Sequence, residues 1–464
     1  LGILLVMRLG TGRMRWALRG GCLLACALCL TPVLHPEKLA FFGIKTDVWD
    51  QAGAYRTSGA MGAFLRNTEF MEVEEPEDLS SQRLSWIMDQ VELPEEPPEP
   101  AAVSVERPNI VAIMNESWAD FEEFGNLELS QSVNQYISTL DNAIWGHAYA
   151  SVFGAGTSAS EFEFLTGNSM AFLPSGSIPY QQYILDRSPS LVWLMREAGY
   201  ETRAFHPGER TSWQRDQAYP LLGFESFKCG EDMDVPQEMA HGYVSDSSDF
   251  DQVIWEYEHR DPDRPLFLFN VTIQNHGSYT DKTYPAQVQL TDEPGAYPMA
   301  EQYLTLARET NQAFQKLVEY FSQQEEPTII LMFGDHQPSV EQEFLDKAYG
   351  VTQDEMTMEQ YMDKYRVPYV VWANFPLEES ESAGDTTSLN FLSQYILEYT
   401  GVQSDSYFSF LDRLRQTLPA ITFVGYLDQE GNAYSHLETN AFTSLIEDYQ
   451  CVQYERLFGL EGEV

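Results

Sequence analysis

Five short stretches carry side chains with the means to do chemistry. "NIVAIMNES" (109–117) runs apolar and ends on Glu116, "TIILMFGDHQPS" (328–339) ends on Asp335 and His336, and "LFLFNVTIQNHG" (266–277) ends on Asn275 and His276. "VFGAGTSASEFEFLTG" (152–167) offers Thr157 and Ser158 behind two glycines, and "FHPGERTSWQRD" (205–216) offers His206, Trp213 and Arg215. Two carboxylates and an imidazole gathered at one place repel one another unless a cation neutralises them, and oxygen-rich ligands favour Mn or Mg over thiophilic ions. Any one of these groups alone reads better as a polar strand end facing water; the three strand ends together favour the cation.

A threonine hydroxyl is a weak nucleophile near neutrality and becomes a strong one on metal coordination. Ser158 and Glu161 have the spacing of a capping box, which accounts for the serine and threonine as helix caps. The same helix start would present free N–H groups to a phosphate, so spacing leaves both uses open. Arg215 suits a fork onto phosphate oxygens, or an ordinary ion pair in a very acidic protein. His276 suits a general acid, or a hydrogen-bonded structural histidine.

The elements that must position these groups are legible. "SLVWLMREAGYETRAFHPG" reads as a helix closed by Gly199 and a short strand, and "DFDQVIWEYEHRDPDRPLFLFNVTIQNHG" as a helix, a turn and an apolar strand. "EQYLTLARETNQAFQKLVEYFSQQEEPTIILMFGDH" repeats that plan, and "VPYVVWANFP" adds one more strand. The alternation predicts an α/β fold with a mostly parallel central sheet flanked by helices on both faces. Chemistry in such sheets gathers beyond the carboxyl ends of the strands, where Glu116, His276, Asp335 and His336 fall. After about residue 340, "TTSLNFLSQYILEYTG" reads as a helix closed by Gly401 and "LPAITFVGYLDQEGNAYSH" as two strands about a turn. "FTSLIEDYQCVQYERLFG" reads as a final helix, so a small C-terminal antiparallel subdomain is expected.

The N-terminal stretch, residues 1–107, differs in character. Residues 1–34 hold Arg8, Arg13, Arg15 and Arg19 and no acid, between the apolar pieces "LGILLVM" and "GGCLLACALCLTPVL". One reading is a signal peptide. The reading adopted makes 1–34 truncated membrane segments joined by a basic cytoplasmic loop, which puts the rest outside the cell by the positive-inside rule. Residues 35–107 then form a juxtamembrane helical region, with "DVWDQAGAYRTSGAMGAFLRN" at loosely helical spacing, and the Pro/Glu-rich linker "LPEEPPEPAAVSVERP". The catalytic domain follows over 108–464. Outside the apolar segment only Cys229 and Cys451 remain, enough for one disulfide at most. The 464 residues are 43% hydrophobic, enough for a large core, and the formal net charge of -44 excludes nucleic acid as a general partner.

"PNIVAIMNES", "VFGAGTSASEFEFLTG", "FHPGERTSWQRD", "TIQNHGSY" and "FGDHQPS" stand in the order seen in lipoteichoic acid synthase-like enzymes. The chain resembles that family, membrane-anchored phosphoglycerol transferases of the sulfatase/alkaline phosphatase superfamily, over about residues 105–400. The resemblance implies that Glu116, Thr157, Asp335 and His336 bind one Mn or Mg ion and that Thr157 is the nucleophile. It implies that His206, Trp213, Arg215 and His276 contact the substrate. The implied reaction moves glycerol phosphate from a phosphatidylglycerol-type lipid to a glycolipid or polyglycerol-phosphate acceptor at the outer face of the cell membrane. A phosphoethanolamine transferase, a phosphodiesterase or sulfatase-like hydrolase, and a non-catalytic acidic surface protein are the alternatives. Gln337-Pro338 departs from the tyrosine or glycine that many members carry after GDH, which bears on the acceptor. No cysteine lies in the Cys-x-Pro-x-Arg motif that sulfatases oxidise, which disfavours sulfate-ester hydrolysis by that route.

Overall fold

The computed structural model describes residues 21, 39, 43–44, 51–67, 73–91, 107–377 and 386–459. The expected membrane segments, the linker at 93–106, and Cys22, Cys26 and Cys29 lie outside them, save Gly21. Among the described residues no helix is long and apolar enough to cross a membrane. Two compact units are present, one of described residues up to Glu75 with Leu173–Ser177, the other of Pro76–Phe172 with Ile178–Val464. The first contains helix α1 (Gln51–Asn67), interrupted at Gly59, where φ is 70° and ψ 158°.

The second unit is built on eight strands: β1 Asn109–Asn115, β2 Ala143–Tyr149, β3 Glu201–His206, β4 Ser226–Cys229, β5 Leu266–Val271, β6 Thr328–Gly334, β7 Arg366–Ala373 and β8 Thr386–Ser388. They are ordered β8-β2-β7-β6-β1-β5-β3-β4. Only β7 runs antiparallel to its neighbours β2 and β6; every other pairing is parallel. The runs "NIVAIMN", "LFLFNV" and "TIILMFG" are buried at every position, as continuous apolar strands must be when both faces of a sheet are covered.

The covering helices used below are α2 Ser81–Met88, α3 Thr157–Thr166, α4 Arg215–Leu222, α5 Asp246–Glu258, α6 Pro298–Phe321, α7 Leu389–Thr400 and α8 Thr443–Phe458. On one face Phe250 and Val253 of α5 and Phe314, Leu317 and Phe321 of α6 pack with Val111, Leu268, Ile330 and Met332. On the other, Phe164 of α3 sits 4.7 Å from Phe333 and 5.6 Å from Phe269, ring centre to ring centre. Burying such rings contributes about 1.5–3 kcal/mol each, which is what clamps α3 to the sheet.

Two expectations are corrected in the C-terminal part, and the cysteine pairing left open by the sequence is answered. Thr386–Ser388 is not the start of a helix but an edge strand on β2, and the helix begins at Leu389 and closes at Gly401 as expected. The antiparallel element has three short strands, not two: Tyr426–Leu427 and Ala433–Tyr434 flank the turn, and Ala420–Ile421 pairs with the first. Cys229 and Cys451 are both free and buried. They sit at the end of β4 and in α8, and the Cys229 thiol donates to Asp232 Oδ2 at 3.1 Å instead of meeting a second sulfur.

One buried acid on α3 gives the fold a pH signature. Glu163 accepts from Ser151 Oγ at 2.6 Å and from the Met170 N–H at 2.9 Å, yet burial pushes its carboxyl up to about 7. Because the folded value lies above the unfolded one, its contribution is fully present below the unfolded pKa of about 4.3 and is lost as pH rises through about 7. Glu163→Gln is therefore expected to remove a decline on the order of 2–3 kcal/mol between pH 5 and pH 8. Denaturant melts of both proteins at the two pH values check it; equal declines would contradict it.

Candidate functional site

Register alone brings the acids together. Asn115 pairs with Gly334 at the carboxyl ends of β1 and β6, so the next residues, Glu116 and Asp335, leave the same sheet edge side by side. A Cβ at position 334 would lie 2.2 Å from the Trp118 carbonyl oxygen, so only glycine lets the two turns approach this closely. The Ser117 N–H donates to Asp335 Oδ1 at 2.7 Å and the Ser117 hydroxyl to Glu116 Oε1 at 2.8 Å. One ligand atom each from Glu116, Asp335 and His336 falls within 4.8 Å of the others, and all three residues are buried.

Thr157 joins them from the other side. Gly156, at φ 102°, is the N-cap of α3, and Thr157 is its first residue. Its hydroxyl lies 3.5 Å from Glu116 Oε2. Ser160, one turn on, donates to the Asp335 carbonyl at 2.6 Å and fixes the helix start against the Asp335 loop. The expected Ser158–Glu161 capping box is absent, because α3 has no side-chain cap and Glu161 faces inward to other partners.

The electrostatics of the cluster call for a positive charge. Asp335 is pushed up to about 7, first by burial and then by the charge of Glu116. His336 Nδ1 lies 3.0 Å from the Gln337 carbonyl, which can only accept, so Nδ1 carries the proton and Nε2 presents a lone pair. That lone pair points at 3.3 Å to Asp335 Oδ2 and 3.8 Å to Glu116 Oε1, and among the described residues neither Nε2 nor Oδ2 has a hydrogen-bond partner. Buried acceptors facing one another without donors are costly, and a divalent cation between them removes the cost. The two carboxylates, the imidazole and the adjacent hydroxyl fit a hard divalent ion.

Around the cluster is a cavity of about 410 Å³ whose walls include Thr157, His206, Trp213, Arg215, His276 and Tyr279. The eight residues that the resemblance implicates thus lie together, seven of them on the cavity wall and Asp335 beside His336 and Glu116. His206, the last residue of β3, has Nδ1 2.8 Å from the Val271 carbonyl. Burial, then the Arg215 guanidinium, pushes its imidazole well below the usual range, so it stays neutral with an Nε2 lone pair. Trp213 and Gln214 both have positive φ, 57° and 62°, a costly backbone that recurs where a binding site holds it in place.

Arg215 is held differently from the free fork that its motif suggests. Its Nε and Nη2 grip Glu161 Oε1 at 3.0 and 2.5 Å, with both residues almost wholly buried. Tyr219 and Tyr180 donate to Glu161 Oε2 at 2.6 and 3.2 Å. Burial opposes the guanidinium's charge, but Glu161 outweighs it and holds Arg215 above its usual value. Asn275 turns inward, donating to Asn115 Oδ1 at 3.1 Å and Thr310 Oγ1 at 3.0 Å. Gln337 is also interior, its amide donating to the Asp363 and Arg366 carbonyls at 2.8 and 2.7 Å. Sequence reasoning missed Ser117, which orders both acids, although its place directly after Glu116 was a usable signal. Ser339 and Met299, also on the cavity wall, carried no signal.

A family model described as Sulfatase matches residues 108–402. The chain belongs to the sulfatase family. Among curated relatives, a putative cyclic beta-1,2-glucan modification protein of Rhizobium meliloti is 29% identical over 422 residues, covering 89% of this chain and 63% of that protein. A lipoteichoic acid synthase of Staphylococcus saprophyticus is 21% identical over 314 residues, covering 66% of this chain and 47% of that protein. This sulfatase-family chain therefore spans less than two thirds of the length of these relatives. Among solved structures, the Streptococcus pyogenes phosphoglycerol transferase GacH in complex with sn-glycerol-1-phosphate superposes with a TM-score of 0.68 at 18% identity, over 84% of this chain and 96% of that one. The lipoteichoic acid synthase LtaP of Listeria monocytogenes gives 0.59 at 14% identity, over 82% of this chain and 97% of that one. These likenesses establish the shared fold, with an alkaline phosphatase superfamily protein of Vibrio parahaemolyticus a third example at 0.56 and 14% identity, over 82% of this chain and 96% of that one.

Proposed function

We propose that the chain is a divalent-metal-dependent phosphotransferase that moves glycerol phosphate from a phosphatidylglycerol-type lipid to a glycolipid or polyglycerol-phosphate acceptor. The observation that carries this reading is the meeting of Glu116, Asp335 and His336 within 4.8 Å, with the Thr157 hydroxyl 3.5 Å from Glu116 at the start of a helix. The named activities of the relatives lipoteichoic acid synthase and GacH support the choice of glycerol phosphate. In this reading residues 108–464 are the catalytic domain, held outside the cell by the membrane segments of 1–34 through the region 35–107.

Glu116, Thr157, Asp335 and His336 would hold Mn or Mg, which when bound makes the threonine hydroxyl acidic and offsets phosphoryl charge. Thr157 Oγ1 attacks the phosphorus, forming an O–P bond while the bond to diacylglycerol breaks, and its own proton passes to solvent. His276 delivers a proton from Nε2 to the departing diacylglycerol oxygen. An acceptor hydroxyl then attacks the phosphorus of the glycerophospho-threonine and gives its proton back to His276 Nε2, while the Thr157 O–P bond breaks and the threonine oxygen takes a proton from solvent. The N–H groups at the start of α3 stabilise the phosphoryl oxygens, and preorganised donors of this kind are the largest contribution in most such reactions. The paired Arg215 adds its charge and its remaining Nη1 edge, with His206 and Trp213 bounding the glycerol end.

Incubating the full chain and Mn with labelled phosphatidylglycerol, with phosphatidylethanolamine in parallel, is expected to leave a glycerophosphoryl adduct on Thr157 seen by mass spectrometry. An adduct from the ethanolamine lipid alone would change the donor. Turnover of the glycerol lipid with no adduct on Thr157 in rapidly quenched samples would remove the covalent route.

A further inference from the structure

A hairpin outside the catalytic motifs grips the loop that carries His276. Met239–Ala240 and Tyr243–Val244 pair antiparallel around His241 and Gly242, whose φ angles of 35° and 104° are both positive, as a two-residue hairpin turn of the favoured type requires. His241 Nε2 lies 2.6 Å from the Gln274 carbonyl, and its ring stacks 6.3 Å from Tyr279. Tyr243 reaches the other side of the same loop, its hydroxyl 3.1 Å from His276 Nδ1 and 3.2 Å from the Gly277 carbonyl.

These contacts decide which nitrogen of His276 is protonated. His276 Nδ1 is 2.6 Å from the Gly277 carbonyl oxygen, a contact that only an N–H can make. The Tyr243 hydroxyl therefore does not donate to Nδ1. It donates to the Gly277 carbonyl and offers its own lone pair to the Nδ1 proton. The neutral ring is the Nδ1–H tautomer, with Nε2 left to exchange protons. His276 is exposed along the cavity wall, so packing does not fix its ring, and the tyrosine and the carbonyl are what do.

We propose that Tyr243 is a positioning residue for the transfer reaction, holding His276 in the Nδ1–H tautomer with Nε2 directed to the departing and attacking oxygens. This rests on the role given to His276 under the proposed function. A hydrogen bond to one ring nitrogen is the usual device for selecting the tautomer that works at the other.

The test uses the full chain with ¹⁵N-labelled histidine and compares wild type, Tyr243→Phe, His276→Gln and the double variant. Tyr243→Phe leaves the exposed ring free to turn off the Gly277 carbonyl, so it is expected to show an added Nε2–H population of His276 in its ¹⁵N shifts and to lower kcat roughly 5–20-fold with little change in KM. In the His276→Gln background the second substitution should add no loss beyond about twofold. Tyr243→Phe with an unchanged tautomer, or with kcat within about twofold of wild type while His276→Gln is impaired, would overturn the proposal. If His276→Gln itself turns over normally, the role of His276 fails, and the ¹⁵N shifts, which need no activity, still report whether Tyr243 sets the ring.

Discussion

Thr157→Ala is expected to lower phosphoglycerol transfer by about 10⁴-fold or more if the proposed covalent route holds, since only the binding and charge-stabilising groups then remain. The substitution deletes a hydroxyl and a methyl at the first position of α3, where the cap is Gly156 and not the threonine side chain, so the helix should start as before. Glu116, Asp335 and His336 keep their places through Ser117, the Gln337 carbonyl and Ser160. Manganese should therefore still bind, more weakly for want of one ligand. Thr157→Ser, which keeps the hydroxyl, should retain measurable transfer. Metal analysis and the lipid assay, run on the same preparations, separate the roles. Near-wild-type transfer by the alanine variant would dismiss Thr157 as nucleophile, and loss of metal together with loss of fold would make it structural.

The second large effect concerns stability. Glu161→Gln is expected to lower unfolding free energy by about 3–5 kcal/mol, because it strands the buried Arg215 guanidinium without its counter-charge. Arg215 is 1% exposed and Glu161 0%, so solvent cannot take over the lost interaction. Replacing both residues, Glu161→Leu with Arg215→Met, should recover much of that loss, since removing both charges also removes their desolvation cost. Denaturant midpoints of the wild type and the two variants decide the matter. A single variant as stable as wild type would show that the pair contributes nothing, and the double variant's activity then reports what Arg215 does for phosphate.

The contrast between these two residues shows where sequence reasoning reached and where it stopped. The strands ending in Glu116 and Asp335 were legible because each is a mostly apolar run cut off by an acid, and the parallel register did the rest. The capping box failed because Ser158 and Glu161 have the right spacing for a local contact, while an arginine 54 residues further on offered Glu161 a stronger one. No periodicity encodes a partner at that distance. Strand β8 escaped because "TTS" is short and polar, and it is defined only by the β2 edge that it joins. The direction of β7 was likewise invisible, since its apolar run fits a central strand of either sense. The Tyr243 contact depends on a two-residue hairpin folding back onto a loop more than thirty residues away.

Helix α2 bears on where this enzyme can be cut. Ile87 is 4% exposed, and Arg83 donates to Asp448 of α8 from both Nε and Nη2, at 3.2 and 2.9 Å. The last helix of this compact unit is thus fastened by a segment that precedes the family match at 108–402 and lies far from that helix in sequence. A fragment trimmed at Asn109, where β1 begins, would leave that fastening behind and bare the flank of α8; one begun before Ser80 would carry its own clasp.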